Sequence, residues 1–220
     1  MLTVTEVYNN IPCRQDLTPD WGFSCLLEEA GLLFDTGERA DILLANMQAL
    51  GINPAGIRYL VLSHDHHDHI GGLAAILAAN PSVEVFVHDA FSGQTLGLIR
   101  EYAEPRIIGE WTEIAGGIAV TGPLGTDIRE QSLAVAVPDG FLVITGCAHP
   151  HISRIIDRVS REGRVWGVIG GLHTLTDEDI DALAGAAYLS ASHCTERIGE
   201  LQERYPKTFR PGGAGKMHRI

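Results

Sequence analysis

The sequence predicts an α/β protein in which sheets and helices form layers. Strand-like and helix-like segments alternate along the whole chain, and the strands outnumber the helices. Hydrophobic residues make up 45% of the 220 residues and charged residues 20%, which is typical of a folded globular domain. We therefore expect a single domain that spans residues 1–220.

In the first half of the chain, runs of apolar and β-branched residues between turn residues predict strands. Apolar residues at helical spacing predict a helix over residues 41–50, ended by Gly51, and another over residues 72–79, ended by Asn80 and Pro81. The predicted strands of this half are residues 3–8, 24–28, 32–35, 58–62 and 83–87.

In the second half, the turn sequence Asp139-Gly140 predicts a hairpin between two of the strands. An amphipathic pattern predicts a helix over residues 150–161, and Thr176 followed by Asp179 is typical of a helix N-terminus. A last helix is predicted over residues 195–204. The predicted strands of this half are residues 116–122, 132–137, 141–145, 165–169 and 187–190.

The net charge, the N-terminal sequence and the cysteines indicate which partners are disfavoured and in which compartment we expect the protein. The chain has 28 acidic and 16 basic residues, a formal net charge of −12, which disfavours binding to nucleic acid or to an anionic membrane. The N-terminal segment MLTVTEVYNN lacks the basic and apolar regions of a secretory signal, and no stretch approaches the ~20 apolar residues of a membrane span. We expect a cytoplasmic protein whose four cysteines are free thiols, and we leave its oligomeric state open.

Histidines cluster in one loop between a predicted strand and a predicted helix. Residues 63–72 read Ser-His-Asp-His-His-Asp-His-Ile-Gly-Gly. In an extended segment His64 and His66 point the same way and can share a metal ion, while Asp68 and His69 diverge toward a second one. The alternative is a solvated polar loop or a tract that binds metals without specificity.

This run resembles the HxHxDH signature of the metallo-β-lactamase superfamily. Phe34-Asp35-Thr36-Gly37 is similar to the superfamily's first motif, whose Asp orients a metal-binding His. Strand ends further along extend the resemblance from Val7 to Lys216, and they indicate the branch that contains the methanogen dihydropterin-ribofuranosylaminobenzene-phosphate synthase. The segments concerned are Gly146-Cys147-Ala148-His149, Gly170-Gly171-Leu172-His173 and Ser192-His193-Cys194-Thr195.

The resemblance implies an αββα sandwich of two mixed β-sheets flanked by helices, with metals at one edge. It also implies that His149 completes the site of His64 and His66, and that His193 completes the site of Asp68 and His69. The implied cofactors are two divalent metal ions, for which we expect zinc, with manganese or iron as alternatives.

The sequence departs from the superfamily pattern at two positions. Arg129-Glu130-Gln131-Ser132 contains no His where many superfamily hydrolases have one, and Gly146-Cys147 stands where they have Gly-Asp. We infer that His149 replaces the missing His and that Cys147 occupies the position of the Asp between the metals. A thiolate there can bind zinc, and the alternative is a small core residue.

The remaining histidines are assigned by position. His173 follows a strand, so it is a candidate general acid or substrate-binding residue, and with Asp68 it makes up the candidate catalytic pair. We expect His67 to point away from the metals and His88 to lie at the edge of the site. We expect His151 and His218 to be ordinary surface residues.

These features predict a metal-dependent hydrolase that uses a metal-bound hydroxide on a small ester or phosphate-containing metabolite. The branch resemblance suggests a pterin-related substrate. GxSxG, GxGxxG and Walker motifs do not occur, which argues against a serine esterase, a dehydrogenase or a nucleotide-driven enzyme. The alternatives are an iron-dependent oxygenase or oxidoreductase on the same fold, and a metal-containing ligand-binding protein with little turnover.

Overall fold

The computed structural model describes residues 1–220. It contains seven α-helices, α1 (Ala40–Leu50), α2 (His67–Ile70), α3 (Leu73–Ala79), α4 (Gly93–Arg100), α5 (Ile152–Ser160), α6 (Asp177–Ala182) and α7 (Ile198–Arg204). The strands are β1 (Thr3–Asn9), β2 (Phe23–Leu27), β3 (Leu32–Phe34), β4 (Tyr59–Val61), β5 (Glu84–His88), β6 (Arg106–Ile108), β7 (Thr112–Ala115), β8 (Ile118–Val120), β9 (Leu133–Val137), β10 (Gly140–Thr145), β11 (Val165–Gly171), β12 (Tyr188–Ser192) and β13 (Met217–Arg219). Short 3₁₀ turns lie at Pro54–Gly56 and Leu183–Gly185.

The first unit comprises Met1–Ile108 and Gly213–Ile220 and is built on a seven-stranded sheet. Its strand order is β13-β1-β2-β3-β4-β5-β6, antiparallel from β13 to β3 and parallel from β3 to β6. Leu43 and Met47 of α1 and Leu73 and Leu77 of α3 are buried in one core with the residues of β3, β4 and β5. Burying these apolar faces removes hydrocarbon from water and holds the helices on the sheet.

The second unit comprises Gly109–Gly212 and is built on a six-stranded sheet of order β12-β11-β10-β9-β8-β7. Its β10, β11 and β12 are parallel, and its β7 to β10 are antiparallel. The buried residues Ile152, Ile155 and Val159 of α5 pack into a core with Val143 and Val168 of the sheet. No helix of either unit is long and apolar enough to cross a membrane.

The predicted fold class is confirmed, since both sheets are mixed and carry helices. The Asp139-Gly140 hairpin is present between β9 and β10, and Thr176 and Asp179 form a complete capping box at α6. The strand predicted over residues 116–122 is present as the shorter β8, which pairs with β7 through a turn at Gly117 with φ 74°. The prediction lacked β6, β7, β13, α4 and the four-residue α2.

Candidate metal ligands

In the first unit, polar residues collect where three parallel strands end. Asp35 directly follows β3, the histidine-rich loop follows β4, and His88 is the last residue of β5. Since β3, β4 and β5 are parallel neighbours, their carboxyl ends meet at one edge of the sheet, where α/β proteins commonly bind ligands. The sheet therefore brings together the two motifs that were recognised in the sequence.

The buried carboxylate of Asp35 fixes the tautomer of His64 through Ser63. The Ser63 hydroxyl donates to Asp35 Oδ2 over 2.7 Å, and Asp35 Oδ1 accepts the Ser63 N–H over 2.7 Å. Because its proton is committed to Asp35, the Ser63 oxygen must accept the 2.8 Å hydrogen bond from His64 Nδ1. His64 thus carries its proton on Nδ1 and a lone pair on Nε2, the form of imidazole that binds a metal.

The same Asp35 oxygen fixes the tautomer of His69. His69 Nδ1 lies 2.7 Å from Asp35 Oδ2, so it donates to the carboxylate and leaves the lone pair on Nε2. That Nε2 lies 3.6 Å from Asp68 Oδ2. Metal–ligand distances of about 2.0–2.2 Å would let both atoms bind one ion. Asp68 and His69 therefore fit a metal by donor chemistry and by spacing.

His64 and His66 form the other donor pair of this unit. Their rings lie 4.5 Å apart between centroids, and their ligand nitrogens are within 4.8 Å of one another. His66 precedes α2, where the chain turns from extended to helical, so Asp68 and His69 project from the short helix instead. Gly71 lets the end of α2 lie against the Glu38 backbone, because a Cβ there would lie 1.8 Å from the Glu38 oxygen.

In the second unit, the remaining predicted site residues also follow parallel strands. Cys147 and His149 follow β10, His173 follows β11 and His193 follows β12. These three strands are neighbours in the order β10-β11-β12, so the residues lie at one edge of their sheet. The ligand atoms of Cys147 and His193 are within 4.8 Å of one another, which suits a shared metal.

Cys194 and Gly171 lie beside Cys147 and His193. A hydrogen bond with Cys147, together with the hydrogen bond and charge of His193, holds the pKa of the Cys194 thiol well below its usual range despite burial. A Cβ on Gly171 would lie 2.3 Å from the Gly146 oxygen and 2.8 Å from Cys194 Sγ. Only glycine at this position lets the three strand ends approach so closely.

His149 and His173 lie together, 4.8 Å apart between ring centroids. His149 also lines a cavity of about 350 Å³ with His151 and Arg154 at the start of α5. His151 Nδ1 lies 2.9 Å from the buried carboxylate of Asp179, which orients the ring. The cavity therefore places a guanidinium and an oriented imidazole beside a predicted metal ligand.

The structure corrects two of the histidine predictions. His218 is 1% exposed and its Nε2 binds Glu6 Oε1 over 2.9 Å, so it is a core residue of the first unit. His151 is half-exposed, but it is held by Asp179 in a left-handed backbone conformation with φ 74°. His67 is exposed, and His88 is buried with Nε2 3.3 Å from the Ser63 carbonyl oxygen.

Two carboxylates near the ligands were not found as site residues from the sequence. Asp179 was recognised only as a helix cap, and Glu130 only as part of a segment without a His. Burial would raise the pKa of Asp179, but hydrogen bonds from Thr176 and Ser153 outweigh it and lower the pKa to about 2. Glu130 is completely buried beneath the loop of Cys147 and His149.

Comparison with known proteins identifies the family. Residues 24–184 match the model of the metallo-beta-lactamase superfamily. The chain belongs to this superfamily. The superfamily's first motif and HxHxDH signature lie inside the matched region, and so do the loops of Cys147, His149 and His173.

The chain is similar to two curated relatives and to one solved structure. A 7,8-dihydropterin-6-methyl-4-(β-D-ribofuranosyl)-aminobenzene-5′-phosphate synthase of Methanocaldococcus jannaschii is 26% identical, covering 91% of each chain. An uncharacterized protein of the same organism is 29% identical over 72% of this chain and 74% of its own. The structure of a metal-dependent hydrolase of the superfamily has a TM-score of 0.84 and 24% identity, covering 100% of this chain and 99% of that one.

Proposed function

We propose that the chain is a metal-dependent hydrolase that holds two divalent ions and acts on a small ester or phosphate-containing metabolite. Membership of the superfamily supports the metal dependence. The observation that carries the proposal is the Asp35 network, in which one buried carboxylate gives His64 and His69 the tautomer that a metal requires.

The proposal assigns the donors to two metals. His64, His66 and His149 are assigned to the first, and Asp68, His69, Cys147 and His193 to the second, with the Cys147 thiolate in the place of the superfamily's Asp. Imidazole, carboxylate and thiolate together suit zinc or iron better than magnesium or calcium. We propose zinc, with manganese and iron as the alternatives that a metal analysis would separate.

The chain's own residues would then have separate roles in the reaction. Divalent ions bound to these donors supply Lewis acidity and lower the pKa of water toward neutrality. Asp35 orients His64 and His69 so that each neutral ring presents the lone pair of Nε2, and Asp68 adds a negative charge that balances the metals. His173, adjacent to His149, is proposed to hold the substrate or to donate a proton to the leaving oxygen.

Two observations favour a phosphate-bearing substrate. The name of the Methanocaldococcus jannaschii relative includes a 5′-phosphate on a pterin-related compound. The cavity beside His149 contains Arg154 and His151, whose donors suit a phosphate oxygen, although Asp127 also lines it. We propose that the phosphate occupies this cavity, so that Arg154→Ala should raise KM for a phosphorylated substrate and leave metal content unchanged.

Metal analysis combined with a substrate panel tests the proposed function. The purified protein would be analysed for zinc, manganese and iron, then assayed with ester, phosphomonoester and phosphodiester substrates after loading with each metal. We expect about two ions per chain in the wild type and hydrolysis that disappears in His66→Ala. His67→Ala is the matched control, because this exposed His of the same loop is not assigned to a metal.

Three outcomes would contradict the proposal in different ways. Absence of bound metal after loading would remove its basis. Bound iron with consumption of O₂ would indicate an oxidoreductase. Tight binding of a small ligand without turnover of any substrate would indicate a ligand-binding protein.

A further inference from the structure

Glu130 binds the backbone of the loop that carries Cys147 and His149. Its Oε1 accepts hydrogen bonds from the N–H groups of Gly146, Cys147 and Ala148 at 3.1, 3.0 and 3.0 Å. Its Oε2 accepts the N–H of His149 at 2.9 Å. Four consecutive backbone donors thus converge on one side chain that is 0% exposed.

The loop needs such an acceptor to keep its shape. Ala148 has φ 56°, a left-handed conformation that is unfavourable for an L-residue. Four N–H groups pointing inward from successive residues would also be costly to bury without acceptors. A carboxylate satisfies both demands, because it offers two oxygens with acceptor sites only.

The loop carries one proposed ligand for each metal. Cys147 is assigned to the second metal and His149 to the first, and only Ala148 separates them. The backbone that aims both side chains is held by the same carboxylate. Groups that orient metal ligands in this way commonly change metal affinity by about 10–100-fold when removed.

We infer that Glu130 is a positioning residue that sets the geometry of both metal sites at once. The inference rests on the proposed function, in which Cys147 and His149 are metal ligands. It also gives a role to the segment 129–132, where many superfamily hydrolases have a His. In this chain that segment contributes the carboxylate that holds the ligand loop.

The test is the metal affinity of each site in Glu130→Gln, measured by competition with a chromophoric chelator. The amide keeps the size of the side chain but replaces one acceptor by a donor, which then faces an N–H of the loop. We expect both affinities to fall by about 10–100-fold. Cys147→Ser should weaken only the second metal, and His149→Ala only the first.

Cobalt gives a readout that stability alone would not change. In the Co²⁺-loaded protein we expect the thiolate-to-cobalt absorption band to shift or disappear in Glu130→Gln. Glu130→Asp retains a carboxylate and should keep more of the band and more of the affinity than Glu130→Gln. If Glu130→Gln does not fold, the cobalt band and the metal affinity of Glu130→Asp still test the inference.

Glu6→Gln is the matched control. Glu6 is also 0% exposed, and it binds Asn9, Gly213 and His218, none of which belongs to the ligand loop. We expect it to lower the free energy of unfolding while both metal affinities stay at the wild-type value. Equal losses of affinity in Glu6→Gln and Glu130→Gln would overturn the inference.

The inference and the proposed function fail differently. If the wild type binds two metals and folded Glu130→Gln binds both with unchanged affinity, the positioning role is wrong and the proposed function stands. If the wild type binds no metal, the proposed function fails. Hydrogen exchange of the backbone amides of residues 146–149 then tests the positioning role of Glu130 without metal. Faster exchange in Glu130→Gln supports the role of Glu130 in holding the loop, and unchanged exchange refutes it.

Discussion

Nδ1 of His69 lies 2.7 Å from Oδ2 of Asp35, and both side chains are completely buried. The same Oδ2 accepts the hydroxyl proton of Ser63, which in turn orients His64. One carboxylate oxygen therefore fixes the tautomer of two predicted ligands that are five positions apart in the sequence.

We predict that Asp35→Asn weakens both metals. If the amide oxygen faces the Ser63 hydroxyl and His69, the NH₂ group meets the Ser63 N–H, and in the opposite orientation it meets the hydroxyl and His69. Either orientation sets a donor against a donor and disturbs the network that orients the two imidazoles. Affinity should fall by about 10–100-fold in a chelator competition assay. The control is again Glu6→Gln, and wild-type affinity in Asp35→Asn would show that tautomer control is unimportant.

Removal of individual ligands should separate the two metals. We expect His64→Ala to lose the first metal and His193→Ala to lose the second, each giving about half the wild-type metal content by mass spectrometry. Full occupancy in His193→Ala would refute the assignment of that residue. Cys147→Asp restores the usual carboxylate and should raise occupancy of the second site, whereas an unchanged ratio would argue against Cys147 as a ligand.

Gly171→Ala should destabilise the second unit. Its Cβ would lie 2.3 Å from the Gly146 oxygen, so the strand ends must move apart at a cost of about 1–3 kcal/mol in the free energy of unfolding. Gly199→Ala in α7 is the control, since a Cβ there meets nothing within 4 Å and should stabilise by about 0.5–1 kcal/mol. Urea denaturation of both variants distinguishes steric crowding at position 171 from the general effect on stability of replacing glycine by alanine.

Asp179→Asn should show a stability loss that depends on pH. The pKa of Asp179 is lowered from 3.8 to about 2 in the folded chain, so its carboxylate stabilises the fold above pH ~4. This contribution is lost as the pH falls through about 2. The difference in the free energy of unfolding between wild type and variant should therefore be largest at neutral pH and shrink toward pH 2, and a constant difference would refute the linkage.

His173→Ala should lower kcat without removing metal. His173 adjoins His149 but is not assigned as a ligand, so metal content should equal that of the wild type. A loss of about 10²–10⁴-fold in kcat would fit a general acid. A change confined to KM would instead indicate that the residue holds the substrate.

The local parts of the site were predictable from the sequence because neighbouring residues carry the signal. His64, His66, Asp68 and His69 lie within six positions, and a strand before them places the loop at a sheet edge. The contacts of Glu130 reach residues 16 to 19 positions away, and His218 meets Glu6 across 212 positions. No periodicity in the sequence encodes such pairs.

The missed elements have weak local signals. β6 has only three residues, two of them exposed, and it forms because β5 offers a parallel edge. α4 contains two glycines in eight residues, so its propensity for helix is low. The Ser92 side chain caps its N-terminus, and Asp65 of the histidine loop accepts from Ser92 N–H and Thr95 Oγ1 there. Tertiary contacts thus compensate for the weak strand and helix signals of these segments.

The pairing of β13 with β1 affects how the chain folds during synthesis. The first unit contains residues from both ends of the sequence, whereas the second unit is one continuous segment. During synthesis, the edge of β1 lacks its neighbour until residues 217–219 have left the ribosome, and the bonds from Gly213 and His218 to Glu6 form only then. The unit that holds the first histidine motif is therefore completed only after the whole second unit has been translated. Until then the unpaired edge of β1 can pair with a wrong strand.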